Sequence, residues 1–126
     1  MSAESTVHAL GIYKCPASLS NADFARKCSQ VMEAILACPV PKRNILKYDL
    51  IIPNETLDEH LERLGMPTPK GTIVIIAEFP SFDALEEIAQ LLKTPELGPI
   101  LAGAREEFGF HIDSCSFAVD IVNMVK

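Results

Sequence analysis

The sequence is short of positive charge. Its 126 residues carry 11 Lys and Arg against 17 Asp and Glu, which gives a formal net charge of −6. Because a protein must cluster basic side chains to neutralise a nucleic-acid backbone, this balance argues against a phosphate-binding surface. The basic cluster Lys42-Arg43 is too small to change that conclusion. We therefore expect no nucleic-acid partner.

Long apolar runs are also missing. No uninterrupted stretch approaches the roughly 18 residues that a membrane span requires, and the first six residues lack the basic-then-apolar order of a signal peptide. We therefore expect a soluble, cytoplasmic protein with no membrane partner. Its length and 48% hydrophobic content favour one domain, 1–126, with residues 1–6 as a flexible N-terminus.

Motifs for metals and common cofactors are absent as well. The four cysteines, Cys15, Cys28, Cys38 and Cys115, form no C-x-x-C pair. There is no histidine pair at i, i+4, no H-x-H, no Walker loop and no G-x-G-x-x-G. We expect no metal and no cofactor. The thiols are interpreted as buried small apolar groups, with Cys115 kept in reserve as a nucleophile.

Prolines and capping residues divide the chain into strands and helices. The predicted strands are 7–14, 44–52, 72–79 and 111–122. The predicted helices start at Ser20, Thr56, Ser81 and Thr94, the first stopping at Cys38-Pro39 and the last at Gly109. The positions expected to face the core are Phe24, Cys28, Val31 and Ile35, then Phe82, Leu85, Ile88 and Leu92, then Ile100, Ala104 and Phe108. This order predicts an α+β, ferredoxin-like split β-α-β fold, with a four-stranded antiparallel sheet and helices on one face.

Both faces of that sheet are apolar. In the third strand, Val74 and Ile76 share one face while Ile73 and Ile75 share the other. An uncovered apolar face would exceed the few hundred Å² normal for a monomer. We therefore expect a homodimer packed sheet against sheet, with a cavity for a flat apolar or aromatic small molecule between the sheets or beside each one.

Two segments resemble known families. Residues 13–24 contain a K-x-P followed by L-S-x-x-[DE]-F, which resembles the opening of EthD-like proteins. Residues 78–81 read E-F-P-S and precede Thr94-Pro95-Glu96 after a helix, which is similar to segments of other dimeric α/β-barrel families. The resemblance implies a homodimeric α/β barrel. That superfamily includes polyketide cyclases, lactone isomerases, cofactor-free quinone-forming monooxygenases and haem-dependent enzymes.

The resemblance also points to one residue. Plant polyketide cyclases of this type keep a cavity histidine at the start of the first strand, and His8 occupies the matching place. Their second catalytic histidine follows the helix after strand three. Here that region reads Thr94-Pro95-Glu96-Leu97 and contains no histidine, so that second role has no counterpart.

His8 and Tyr48 are the main candidates for chemistry. His8 shares its strand face with Leu10 and Ile12, which we expect to bind substrate, and a neutral imidazole suits a general base. The alternative is a half-solvated histidine at a strand end. The Tyr48 phenol could hold a substrate carbonyl or enolate oxygen, or simply bury its ring.

Three further side chains are weaker candidates. Glu78 would gain a raised pKa if it pointed into the cavity, although a solvated or Lys-paired carboxylate is the commoner outcome. His111 could polarise a substrate oxygen, with Asp113 one step along the same strand face to orient it. The alternative for this pair is an ordinary solvated edge.

These residues together favour a cofactor-independent acid–base enzyme. The expected reaction is cyclisation, decarboxylation, dehydration or isomerisation of a small aromatic or polyketide-like compound. Two alternatives remain open: a dimeric ligand-binding or stress-associated protein without turnover, and a monooxygenase that uses O₂ without a cofactor.

Overall fold

The computed structural model describes residues 6–69 and 71–125, so the predicted flexible N-terminus lies outside the described residues except for Thr6. This part of the chain forms four strands and five helices. The strands are β1 (Val7–Lys14), β2 (Lys47–Ile51), β3 (Thr72–Phe79) and β4 (Cys115–Val119). The helices are α1 (Asn21–Leu36), α2 (Pro39–Asn44), α3 (Glu55–Arg63), α4 (Phe82–Leu91) and α5 (Gly98–Phe108).

The strands form one antiparallel sheet in the order β2-β3-β1-β4. This is the predicted α+β, ferredoxin-like architecture. The bounds of β1 and β3 match the prediction to the residue. Their register places Ala9 opposite Ala77 and Gly11 opposite Ile75, which fixes the side chains that share each face.

The core lies between the helices and one face of the sheet. Phe24 of α1 has no exposed surface and packs with Cys28, while Ala104 and Phe108 of α5 close the same cluster over Ile73. A second cluster is formed by Ala77, Phe79 and Ala84. The predicted inward faces of α1 and α5 are confirmed at Phe24, Cys28, Ala104 and Phe108. The caps at Ser20 and Ser81 are also confirmed, since each side chain accepts a backbone N–H three residues on.

The helix α2 was not predicted. Pro39 was interpreted as a stop, but it occupies the first turn of a new helix, where its missing N–H costs nothing. Asn44 ends this helix instead of beginning a strand, and its buried amide donates to the carbonyl of Ala84 at 3.3 Å and to Glu87 Oε1 at 2.6 Å. The second strand therefore starts at Lys47 rather than at residue 44.

Two predicted helix starts are wrong. Asn54, not Thr56, caps α3, because its side chain accepts the backbone N–H of Leu57 at 3.1 Å. Thr94 belongs to the turn after α4, where its hydroxyl donates to the carbonyl of Leu91 at 2.6 Å. Helix α5 consequently begins at Gly98.

The predicted inward face of α4 holds only in the middle of the helix. Leu85 and Ile88 pack against the second core cluster, whereas Phe82 and Leu92 are 61% and 44% exposed. Phe82 is the first residue of α4 and Leu92 follows its last, so both exposed side chains stand at the ends of the helix.

The final strand is shorter than predicted. Residues 110–113 form a turn after α5, and β4 starts only at Cys115. Asp113 adopts a left-handed conformation with φ of 58°, and the Ser114 hydroxyl donates to the carbonyl of His111 at 2.8 Å. Both features curl the chain at the place where a strand would have to run straight.

Candidate functional site

The sheet separates two of the predicted site residues. Successive side chains on a strand point to opposite faces. Tyr48 pairs with Ala77 and packs with the helix-side core, whereas His8 pairs with Glu78, one position along β3. His8 and Tyr48, expected around one substrate, therefore lie on opposite faces. The predicted role of His8 as a base is untested, and it would require a ligand on the face of the sheet opposite Tyr48.

A cleft opens between the helices and the sheet, and we call it the tyrosine cleft. It encloses about 370 Å³, including its open mouth. Its lining residues are Tyr13, Cys28, Val31, Met32, Ile35, Tyr48, Ile75, Leu101, Phe108 and Phe110. None of these ten side chains carries a charge at neutral pH. The cleft is thus an apolar slot whose hydrogen-bonding side chains are two phenols and a thiol.

The two phenols come from strands on either side of β3. Tyr13 on β1 pairs with Ile73, and Tyr48 on β2 pairs with Ala77. Ile75 lies between those two partners on the same face and lines the cleft with both tyrosines. The register of three strands therefore places both rings on one side of the sheet, beneath α1 and α5.

Burial controls the ionisation of this site. Desolvation raises the pKa of Tyr48 to about 12, and the nearby Tyr13 and Cys28 add to the rise. Burial likewise raises the pKa of the Cys28 thiol to about 11, with a smaller effect from Cys15. At neutral pH the Tyr48 phenol therefore keeps its proton and can donate a hydrogen bond to a bound oxygen.

Aromatic rings form one wall of the cleft. The Phe110 ring centroid lies 5.9 Å from that of Tyr13 and 5.9 Å from that of Phe108. Of the six Phe and two Tyr in the chain, four line this cleft. Such a wall favours a flat, aromatic ligand, which can pack edge-on or offset against the rings.

The opposite, open face carries a cluster of charged groups at one end. His8 Nε2 lies 3.8 Å from Glu78 Oε1, and Lys47 pairs with Glu78 from the other side. These side chains and Asp49 form what we call the open-face cluster, which lines a second cavity whose space, open mouth included, is about 240 Å³. The structure thus brings His8 and Glu78 together, away from Tyr48.

The apolar part of the open face continues from this cluster along the strands. Leu10 and Ile12, predicted to bind substrate, lie beside Ile76 and Val74 in the strand register and are half-buried. Phe117 pairs with Leu10 and is 49% exposed. Leu10 and Ile12 therefore share the face of His8 and not the tyrosine cleft.

His111 and Asp113 lie in the turn before β4, so the prediction that they share a strand face is wrong. His111 is exposed, and its ring meets that of Phe110 edge-on at 6.1 Å. Asp113 is exposed in its left-handed conformation. Neither side chain lines the tyrosine cleft or the second cavity.

Within residues 6–69 and 71–125, no group of three or more His, Cys, Asp or Glu side chains is arranged to hold a metal ion. Over the same residues, no helix combines the length and apolarity needed to cross a membrane. The four cysteines are free thiols, and the exposure of Cys115 departs from the expectation of a buried thiol.

Sequence reasoning missed two of the three hydrogen-bonding side chains of the cleft, Tyr13 and Cys28. Tyr13 was not predicted because the candidates on β1 share the strand face of His8, whereas Tyr13 lies on the opposite face of the same strand. Cys28 was interpreted as a buried apolar group. It is buried, but it also borders the cleft. The helical spacing of Cys28 from Phe24 was the one signal that placed it near the core.

Comparison with known proteins supports the fold. No protein-family model matches the chain, and no curated protein matches it. Among solved structures, the chain is similar to SnoaB from Streptomyces nogalater, a cofactor-independent oxygenase, at 12% identity and a TM-score of 0.60, over 95% of this chain and 96% of that one. It is also similar to an antibiotic biosynthesis monooxygenase at 15% identity and a TM-score of 0.56, over 93% of this chain and 99% of that one.

A third neighbour is described by its assembly. It is a dimeric protein of unknown function and ferredoxin-like fold from Bacteroides fragilis, with 15% identity and a TM-score of 0.56 over 92% of this chain and 96% of that one. At such identities the likeness establishes the ferredoxin-like fold. The likeness does not establish the EthD-like subfamily.

Proposed function

We propose that the protein binds a flat phenolic compound in the tyrosine cleft and supports its oxidation by O₂ without a cofactor. The observation that carries this proposal is the cleft itself, in which two phenol donors, Tyr13 and Tyr48, meet an otherwise apolar and largely aromatic lining. The shared fold of a cofactor-independent oxygenase adds support.

The lining defines the ligand's chemistry. With no charged side chain around it, the cleft favours a neutral aromatic compound over a carboxylate or an amine, because an unpaired charge would be desolvated there. Tyr48 remains a donor at neutral pH, so it suits a phenol or carbonyl oxygen. As negative charge grows on that oxygen during reaction, a preplaced donor stabilises it.

The proposed reaction balances without a further reductant. A ring carbon bearing hydrogen becomes a carbonyl carbon, and one oxygen atom of O₂ enters that carbonyl. The substrate's phenolic hydrogen and the hydrogen from that carbon leave with the second oxygen atom as water. The substrate is oxidised to a quinone and O₂ is reduced. The residues of the cleft bind the ring, keep water away and hold the developing oxyanion.

We further propose that two copies of the chain pack through their open faces. Leu10, Ile12 and Phe117 give this face an apolar centre, and the open-face cluster gives it a charged end, the anatomy of a protein interface. Because that cluster carries both signs of charge, a two-fold arrangement can place opposite charges together. The Bacteroides fragilis neighbour is described as dimeric, which supports the existence of a homodimer.

Oxygen consumption tests the catalytic proposal. Mono-, bi- and tricyclic phenols should be screened in an oxygen electrode with mass detection of the product, expecting one O₂ consumed per quinone formed. The variant Tyr48→Phe should lower kcat by about 100-fold, the typical effect of removing one oxyanion donor. His8→Ala should retain activity. Loss of activity in His8→Ala together with full activity in Tyr48→Phe would contradict this proposal and would indicate that the reaction takes place on the open face.

Sedimentation tests the interface. Phe117→Asp places a charge in the centre of the open face and should produce a monomer. The matched control is Phe82→Asp, a substitution of a phenylalanine that is 61% exposed at the start of α4. A wild-type protein that sediments as a monomer at micromolar concentration would overturn this part of the proposal.

Binding without turnover is the second candidate function. It is favoured by the fact that none of the ten lining residues is a His, Asp or Glu that could act as a general base. In that case the phenols would bind saturably and be recovered unchanged, with no oxygen consumed. Calorimetry and product analysis on one sample separate the two functions.

A further inference from the structure

Gly11 lies in the middle of β1, where glycine is unfavourable for a strand. It is buried, pairs with Ile75 on one side and Ser116 on the other, and shares the helix-side face of Tyr13. Its backbone does not require glycine, since the glycines with positive φ are Gly65, Gly71 and Gly109. A glycine inside a strand often marks a place where another group approaches the backbone closely.

The approaching group is the ring of Tyr13. A Cβ atom at position 11 would lie 2.6 Å from the Tyr13 hydroxyl oxygen, 2.7 Å from Cε2 and 2.9 Å from Cζ. These separations are closer than real Cβ atoms come to their neighbours. The ring therefore leans back along β1 and covers the backbone of Gly11, and its centroid lies 5.9 Å from that of Phe110.

We propose that Gly11 is a positioning residue, whose missing side chain lets the Tyr13 phenol lie against the sheet at the floor of the tyrosine cleft. The part of this inference that gives the Tyr13 phenol a role in ligand binding rests on the proposed function. The close approach of the Tyr13 ring to Gly11 does not depend on that function. Tyr13 and Tyr48 both line the cleft from neighbouring parts of the sheet, so moving one ring changes the donor pair that a ligand meets.

A methyl group at position 11 would displace the ring and leave the sheet in place. All three close atoms belong to the far end of the Tyr13 side chain, not to backbone. The ring can escape by rotating toward the cleft mouth, which removes its hydroxyl from the floor. A ligand would then lose one neutral hydrogen bond, which should weaken its binding by about 2- to 10-fold.

The matched control is Gly103 of α5. A Cβ atom at position 103 meets nothing within 4 Å, so Gly103→Ala introduces the same methyl group without displacing any side chain. Tyr13→Ala supplies the second comparison, because Gly11→Ala added to it finds the ring already gone.

The experiment uses the full chain and reads Tyr13 with and without ligand. With Tyr48→Phe in the background, Tyr13 is the one aromatic hydroxyl of a chain that has no tryptophan. Gly11→Ala should then change the near-UV circular dichroism of Tyr13 and its quenching by acrylamide, whereas Gly103→Ala should change neither. An unaltered Tyr13 signal in Gly11→Ala would overturn the proposal, even if no phenol ever binds.

Affinity for 1-naphthol, measured by calorimetry with Tyr48 intact, completes the test. Gly11→Ala should weaken binding by about 2- to 10-fold, and should have no further effect when Tyr13→Ala is already present. An equal loss in both backgrounds would overturn the proposal. If Gly11→Ala does not fold, recovery of folding by adding Tyr13→Ala supports it, and failure of both variants refutes it. Failure of 1-naphthol to bind the wild type contradicts the proposed function, and the ligand-free signal still decides the role of Gly11.

Discussion

Alkaline titration of Tyr48 tests whether its phenol lies in a desolvated cleft. The chain has two tyrosines and no tryptophan, so the tyrosinate absorbance of a Tyr13→Phe variant reports Tyr48 alone. Burial raises the pKa of Tyr48 from 10.0 to about 12, and Tyr13 is the second cause of that rise. The variant should therefore titrate below the wild-type phenol and still well above 10.0.

The same shift makes the free energy of unfolding depend on pH. Below pH 10.0 both the folded and the unfolded chain keep the Tyr48 proton. The buried, neutral phenol then makes its full contribution to the free energy of unfolding. Between pH 10.0 and about pH 12 the unfolded chain releases the Tyr48 proton while the folded chain holds it. Stability then falls by roughly 1.4 kcal/mol per pH unit, about 3 kcal/mol in full.

A matched pair of variants isolates this loss. Urea unfolding of Tyr13→Phe and of Tyr13→Phe/Tyr48→Phe is compared at about pH 8 and about pH 11. Cys28, whose pKa is also raised, titrates in both proteins and cancels. Between these two pH values the free energy of unfolding of Tyr13→Phe should fall by about 1.4 kcal/mol more than that of Tyr13→Phe/Tyr48→Phe. Equal losses of unfolding free energy in the two variants, or a Tyr48 phenol that titrates with a pKa of 10.0, would refute the burial of Tyr48.

Three other changes test the cap of α3, the core and the open face. Asn54→Ala removes the acceptor for a backbone N–H at the start of α3 and should cost about 1 kcal/mol in chemical denaturation, while Thr56→Ala should change stability far less. The reverse order would restore Thr56 as the cap. Phe24→Ala should cost about 3–5 kcal/mol, since Phe24 is fully buried; a thermal scan showing almost no loss would contradict the core described above. His8→Ala should leave the affinity for 1-naphthol unchanged in calorimetry, and a marked loss would place the ligand on the open face.

The sequence was sufficient where an element depends on local signals. Strands β1 and β3 were predicted to the residue because each is a nearly unbroken apolar run that ends close to a proline. Helix α2 depends on a distant partner, since the buried amide of Asn44 bonds to Ala84 and Glu87 of α4. No pattern around Pro39 carries that information.

The candidate site was harder to predict because it depends on register. Alternation shows which residues of one strand share a face, but not which face the helices cover. His8 and Tyr48 were grouped as two polar residues on apolar strands, and the pairing of Tyr48 with Ala77 and of His8 with Glu78 separates them. The same strand register places Tyr13, opposite Ile73, on the face of the sheet that carries Tyr48.

The connection between β2 and β3 is a peripheral appendage. The two strands already pair as antiparallel neighbours, with Ile51 opposite Val74, so a tight hairpin turn could join them directly. Among the described residues of 52–71, including all of α3, no side chain is buried, and Asn21 of α1 tethers this segment by a bond to Glu55 of 3.1 Å. Because closure entropy grows only slowly with loop length, this is the place where the architecture can absorb insertions or a grafted fusion partner without repacking its interior.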